Sequence, residues 1–170
     1  MLELTLRKCQ EEMKPWQAHN FPDRPQWLPL TGAWEEYGEL VEHNYQGDIP
    51  EILDALGDIT IYLCDFANGQ NLDLADLANA HSHDSFEQSP MDGIAINLGR
   101  ASHAFIKTFQ NIRMHEGHAE KLKIALGNVI VLLDMECTNW NTTLDFVLSH
   151  TWAKVKQRDW QKNRETAHKV

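Results

Sequence analysis

Five carboxylates, Glu35, Glu36, Glu39, Asp54 and Asp58, fall on two short amphipathic stretches, GAWEEYGELVEH and EILDALGDITIYL. Glu36 and Glu39 are three apart and Asp54 and Asp58 four apart, so each pair shares a helix face and two packed helices can converge them. Like charges at such spacings destabilise a helix by roughly 0.2–0.5 kcal/mol per pair, so the cluster calls for a counter-charge. Mg²⁺ supplies one: it takes hard oxygen ligands, keeps several waters and is usually completed by substrate phosphates. An ion held this way polarises a phosphoryl group and activates water for in-line attack, and Mn²⁺ suits the same donors.

These acids can converge only if helices carry them. The segment 3–16 has helical period and is expected to be disturbed at Pro15, and HNFPDRPQWLPL after it reads as an ordered loop. In 33–45 Trp34, Tyr37, Leu40 and Val41 make one apolar stripe, closed by Gly47-Asp48 and Pro50. From Glu51 to Ala67 the residues Ile52, Leu53, Leu56, Ile59, Leu63 and Phe66 share a broad face. Glu51, Asp54, Asp58 and Asp65 fall within an arc of roughly 60° on the same helix. A short helix at Leu72–Ala80 and a polar linker precede helices near 93–110, 119–138 and 142–162. The expected class is all-α, a single domain over 1–170.

The two acidic stretches recur without their acids. A shift of 61 lays GAWEEYGEL (32–40) over GIAINLGRA (93–101), and a shift of 70 lays EILDALGDITIYLCD (51–65) over KLKIALGNVIVLLDM (121–135). Gly32, Gly38 and Ala55-Leu56-Gly57 find matches, whereas Glu35, Glu36, Glu39, Asp54 and Asp58 become Ile96, Asn97, Arg100, Ile124 and Asn128. The expectation is a bundle of two tandem helical hairpins, a pseudo-dimer with copies at about 30–80 and 91–162. A face that was merely solvated would keep more polarity in the copy, so the acids point to one site.

The run EExxE followed by DALGD on an apolar helix resembles the all-α nucleoside triphosphate pyrophosphohydrolases of the MazG-like superfamily, whose pattern is ExxE and then ExxD. NFPDRPQWLPLTG and TWAKVKQRDW resemble flanks of some members, so the likeness spans most of the chain. It implies Glu36 and Glu39 as metal ligands, Asp58 as the final ligand, and Glu35 or Glu39 as the catalytic group that orients water. The family's remaining Glu would fall at Ala55, so Asp54 is expected to substitute, with Glu51 as the fallback. FIKTFQNIR resembles a basic segment that the first copy lacks, Lys107 aligning with Gln46, which implies Lys107, Arg113 and Arg100 as phosphate contacts in a composite site. The implied activity is Mg²⁺-dependent cleavage of a nucleoside triphosphate to a monophosphate and pyrophosphate. A degenerate member binding nucleotide or a protein partner without turnover is the competing expectation, and a homodimer is compatible with either.

A net charge of −10 argues against nucleic acid as a bulk partner, and no apolar run reaches a membrane span, so a cytoplasmic chain is expected. Cys9, Cys64 and Cys137 have no metal-type spacing and read as free core thiols. HSHD (81–84) and HEGH (115–118) read as solvated loop histidines, lacking an HExxH or Cys/His framework, and Glu165 with His168 is the one Glu-x-x-His spacing. Trp16, Trp27 and Trp34 are expected to pin the proline loop, Trp152 and Trp160 to pack on a last helix, and Arg158 and Asp159 to order the site's rim.

Overall fold

A computed structural model describes residues 1–82 and 86–165, which leaves His83, Asp84 and His168 outside it. Among the described residues every regular element is helical: α1 (Leu2–Asn20), α2 (Leu28–Gln46), α3 (Ile49–Gly69), α4 (Leu74–His81), α5 (Pro90–Phe109), a single 3₁₀ turn at Met114–Glu116, α6 (His118–Asn139) and α7 (Leu144–Val155). The boundaries follow local chemistry. Asp48, Asp73, Ser89 and Thr143 cap α3, α4, α5 and α7 by accepting a backbone N–H three residues on. Gly47, at φ 71°, ends α2 in the left-handed conformation that glycine reaches without strain.

Two ends depart from the sequence expectation. Helix α1 runs through Pro15 to Asn20, because Pro15 and Glu11, whose carbonyl loses its partner, both lie on the exposed face where water replaces the bond. Helix α7 stops at Val155, short of 162, because the chain beyond it bonds to the end of α1 instead. The Trp160 N–H donates to Asn20 Oδ1 at 2.7 Å, Gln161 Nε2 to the Asn20 carbonyl at 2.8 Å, and Trp16 Nε1 to the Arg158 carbonyl at 3.0 Å. Helix α2 begins five residues before 33, with Pro29 in its first turn, where a missing N–H is harmless.

Helices α2 and α3 form one hairpin and α5 and α6 another, and the short helix that follows each hairpin packs on the other one: α4 on α6, α7 on α3. Helix α1 packs across α3, α4 and α7. Leu40, Ile52, Leu56, Phe66, Leu98 and Leu126 are fully buried where the layers meet, each such side chain contributing about 1.5–3 kcal/mol. The close approaches recur at the two sequence shifts. A Cβ on Gly32 would strike Tyr62 and one on Gly93 would strike Leu132; one on Gly57 would strike Thr151 and one on Gly127 would strike Leu77 and His81. Asn71 and Asn141 both turn the chain at positive φ, 54° and 57°.

The three cysteines are free and buried, and contact with Cys9 together with burial pushes the Cys64 thiol up. The histidine expectation is half right. His115 is exposed, but His118 is the buried first residue of α6, because Gly117 turns the chain inward. Trp27 is 48% exposed and does not pack in the core, since α2 begins there and turns its ring outward. No helix among the described residues is long and apolar enough to cross a membrane.

Candidate functional site

Helix α2 buries Ala33 and Leu40, keeps Glu36 beside them half-buried and leaves Glu35 and Glu39 exposed; α3 buries Ile52, Ala55, Leu56 and Ile59 and leaves Asp54 and Asp58 partly buried. Glu36 is half-buried, and its carboxyl is pushed up to about 8, first by burial and then by Asp58, Glu39, Glu35 and Asp54. Burial and Asp54 push Asp58 up to about 6, against the opposing pull of Arg158 and Lys154. The five predicted acids therefore do share one electrostatic neighbourhood. Their oxygens are spread: among the described residues no three of them come within 4.8 Å of one another. Asp54 is also engaged, its Oδ1 lying 3.2 Å from the Lys154 ammonium. Ala55 is buried in the core, so its position offers nothing to a metal, and Glu51 is exposed in the first turn of α3.

Glu35, Glu36 and Asp58 line a cavity of about 440 Å³. Trp16, Phe21, Tyr62 and Trp160 give it aromatic walls, and Arg24, Asp65 and Arg158 add charge. Arg24 donates both guanidinium nitrogens to Asp65, a bidentate pair that offsets much of the upward push burial exerts on this carboxyl. Tyr62 is held against Gly32, and burial followed by Glu36, Glu35 and Asp58 pushes its hydroxyl up. Arg158, expected from sequence at the site's rim, is among the residues lining the cavity. Asp159 beside it is held low by His19, at 3.1 Å.

Sequence reasoning missed Arg24, Tyr62 and Trp160. Asp65 carried a signal, since it lies seven residues after Asp58 on the same helical row. The predicted bases do not join the cavity. Arg100 lines a second cavity, of about 480 Å³, with Ile96, Asn97, Lys121 and Ile124; Lys107 is half-buried late in α5, and Arg113 is exposed in the loop after it. The cations that face the acids are Arg158 and Lys154.

No family model, curated protein or solved structure matches this chain.

Proposed function

We propose that the chain is a Mg²⁺-dependent hydrolase that cleaves a nucleoside triphosphate between its α and β phosphates, as its resemblance to MazG-like pyrophosphohydrolases implies. The observation that carries this reading is that three of the acids, Glu35, Glu36 and Asp58, line a cavity with aromatic walls. A nucleotide presents the same two chemistries: an anionic phosphate chain that needs metal, and a flat base that stacks on rings. The donor set fits the ion. The candidate ligands all offer carboxylate oxygens, and Mg²⁺ retains waters that bridge a spread of ligands wider than a dry coordination sphere.

Glu36, Glu39 and Asp58 would hold the ion, with Asp54 joining once Lys154 releases it. The bound ion would supply charge neutralisation on the phosphates and a more acidic water. Glu35 or Glu39 orients the attacking water and takes its proton, while the α–β bridging oxygen leaves with pyrophosphate. Arg158 is placed to meet charge that develops on the phosphates, a role assigned from sequence to Lys107, Arg113 and Arg100.

A duplicated hairpin would suit the same reading. The paired glycine approaches, the two positive-φ asparagines and the exchange of α4 and α7 between hairpins are what a fused pseudo-dimer would leave. The competing reading, a member that binds nucleotide without turnover, draws on Ala55 and on the pairing of Asp54 with Lys154. Pyrophosphate release over a panel of nucleoside triphosphates with Mg²⁺ separates the two. Turnover that chelation stops is expected; Mg²⁺ binding without turnover of any triphosphate would overturn the enzyme reading.

A further inference from the structure

We propose that His103, Glu116 and His118 form a second metal site, for a borderline divalent ion such as Zn²⁺, that clamps the α5–α6 connection onto α5. The backbone builds the cluster. Arg113 (φ 53°) and Gly117 (φ 67°) flank the 3₁₀ turn in left-handed conformations, which fold Glu116 back and aim His118, at the head of α6, toward His103 on α5. One ligand atom from each of the three lies within 4.8 Å of the others, the single such set of His, Cys, Asp or Glu side chains among the described residues.

The second observation is His118 itself. Its side chain is 0% exposed, and neither ring nitrogen has a hydrogen-bond partner. The nearest carboxylate oxygen, on Glu116, is 3.8 Å from Nε2, beyond hydrogen-bond range. Buried polar atoms left this way are rare in folded proteins, and a bound ion or water is one thing that satisfies them. The His103 and His118 rings meet edge to face at 5.9 Å and 64°, which keeps the two imidazoles side by side at the cluster.

The donor chemistry selects the ion. Two imidazoles and a carboxylate suit Zn²⁺ and its transition-metal neighbours and are poor partners for Mg²⁺. Ligands on a tetrahedral ion with bonds of about 2.0–2.1 Å stand roughly 3.3 Å apart, so ligand atoms up to 4.8 Å apart must close by as much as about 1.5 Å. The groups facing it are few: Lys121, with its ammonium 3.9 Å from Glu116, is the cation that the ion would displace. His103 also lines the 480 Å³ cavity, which leaves a fourth coordination position open for water. The site lies on the hairpin opposite the acids and stands or falls independently of the proposed hydrolysis.

The test uses the whole chain, stripped with chelator and titrated with Zn²⁺ and with Co²⁺ as a visible probe. One Co²⁺ per chain with tetrahedral absorption is expected, displaced by Zn²⁺ and indifferent to excess Mg²⁺. His103→Ala and Glu116→Gln, side chains that do not sit in the core, should each weaken binding at least about tenfold with helical content unchanged. Zn²⁺ should raise the melting temperature of the parent chain and lose that effect in both variants. Glu36→Gln should bind Zn²⁺ normally. No saturable Zn²⁺ binding by the parent chain, binding unchanged in both His103→Ala and Glu116→Gln, or binding lost only in Glu36→Gln would each overturn the site.

Discussion

The α2–α3 and α5–α6 hairpins each carry a cavity of similar size, about 440 and 480 Å³, and the positions matched by the first sequence shift, Glu35 with Ile96 and Glu36 with Asn97, line both. In the first, Glu35, Glu36 and Asp58 face inward. In the second, Ile96 and Asn97 stand in the places of Glu35 and Glu36, and Ile124 in the place of Asp54. Ile96 and Ile124 are 37% and 39% exposed, so openness to water alone does not require a charge at these positions. The packing tolerates either lining. The carboxylates of the first raise one another's proton affinity, whereas the second is lined by Ile96, Asn97 and Ile124 with the cations Arg100 and Lys121.

The largest contrast should appear in activity. Asp58→Asn removes a proposed metal ligand and, on the proposed function, is expected to lower kcat/KM at least about 100-fold, while the fold stays intact or gains slightly because a buried repulsion is relieved. Ile124→Asn, a polar change on the rim of the second cavity, should leave turnover unchanged. Steady-state pyrophosphate release read beside thermal melting decides the matter. A marked loss of melting temperature in metal-free Asp58→Asn would show the group to be structural, and a matching loss of turnover in Ile124→Asn would erase the distinction between the hairpins.

The parts of this contrast that were legible in sequence are the local ones. Apolar residues at helical spacing gave α2, α3, α5 and α6, and the acid row on α3 was visible because one helix carries all of it. The far wall of the cavity was not legible. Trp160 and Arg158 reach it only because the chain after α7 binds Asn20, 140 residues away, and no periodicity reports such a pairing. The partners Arg24 for Asp65 and Lys154 for Asp54 are hidden for the same reason. His118 looked like a loop residue because its burial depends on a left-handed Gly117 and a 3₁₀ turn, which the motif HEGH does not encode.

A smaller effect should separate the two glycine approaches that join the hairpins. At Gly127 an added Cβ would lie 2.5 Å from the Leu77 carbonyl oxygen, which is backbone inside α4 and has little room to move. Gly127→Ala is therefore expected to destabilise by about 1–3 kcal/mol, as overpacking does. At Gly57 the obstructing atoms belong to the Thr151 side chain. Gly57→Ala should be partly rescued by Thr151→Ala, whereas His81→Ala should leave the Gly127→Ala loss in place. Denaturant melts of the singles and doubles measure this, and equal rescue at both sites would mean that the approaches are energetically equivalent.

The smallest expected effect is on the pH dependence of the metal-free chain, and it belongs to the acidic hairpin alone. Glu36 moves from an ordinary 4.5 to about 8, and Asp58 from 3.8 to about 6, so the folded chain holds more protons than the unfolded one between those limits. Stability must then fall as pH rises, because the unfolded state is the better acid. What the protonated carboxyls contribute is fully present below about 4 and is lost by about 8. The metal-free melting temperature should decline from about pH 5 to about pH 8, and Mg²⁺ should flatten that decline by replacing the protons. Glu36→Gln should remove the upper part of the slope, while Ile96→Gln, at the rim of the matched cavity, should leave it as in the parent. If Glu36→Gln keeps the full slope, Glu36 ionises as an exposed carboxylate does, and the electrostatic difference between the two hairpins is no more than surface charge.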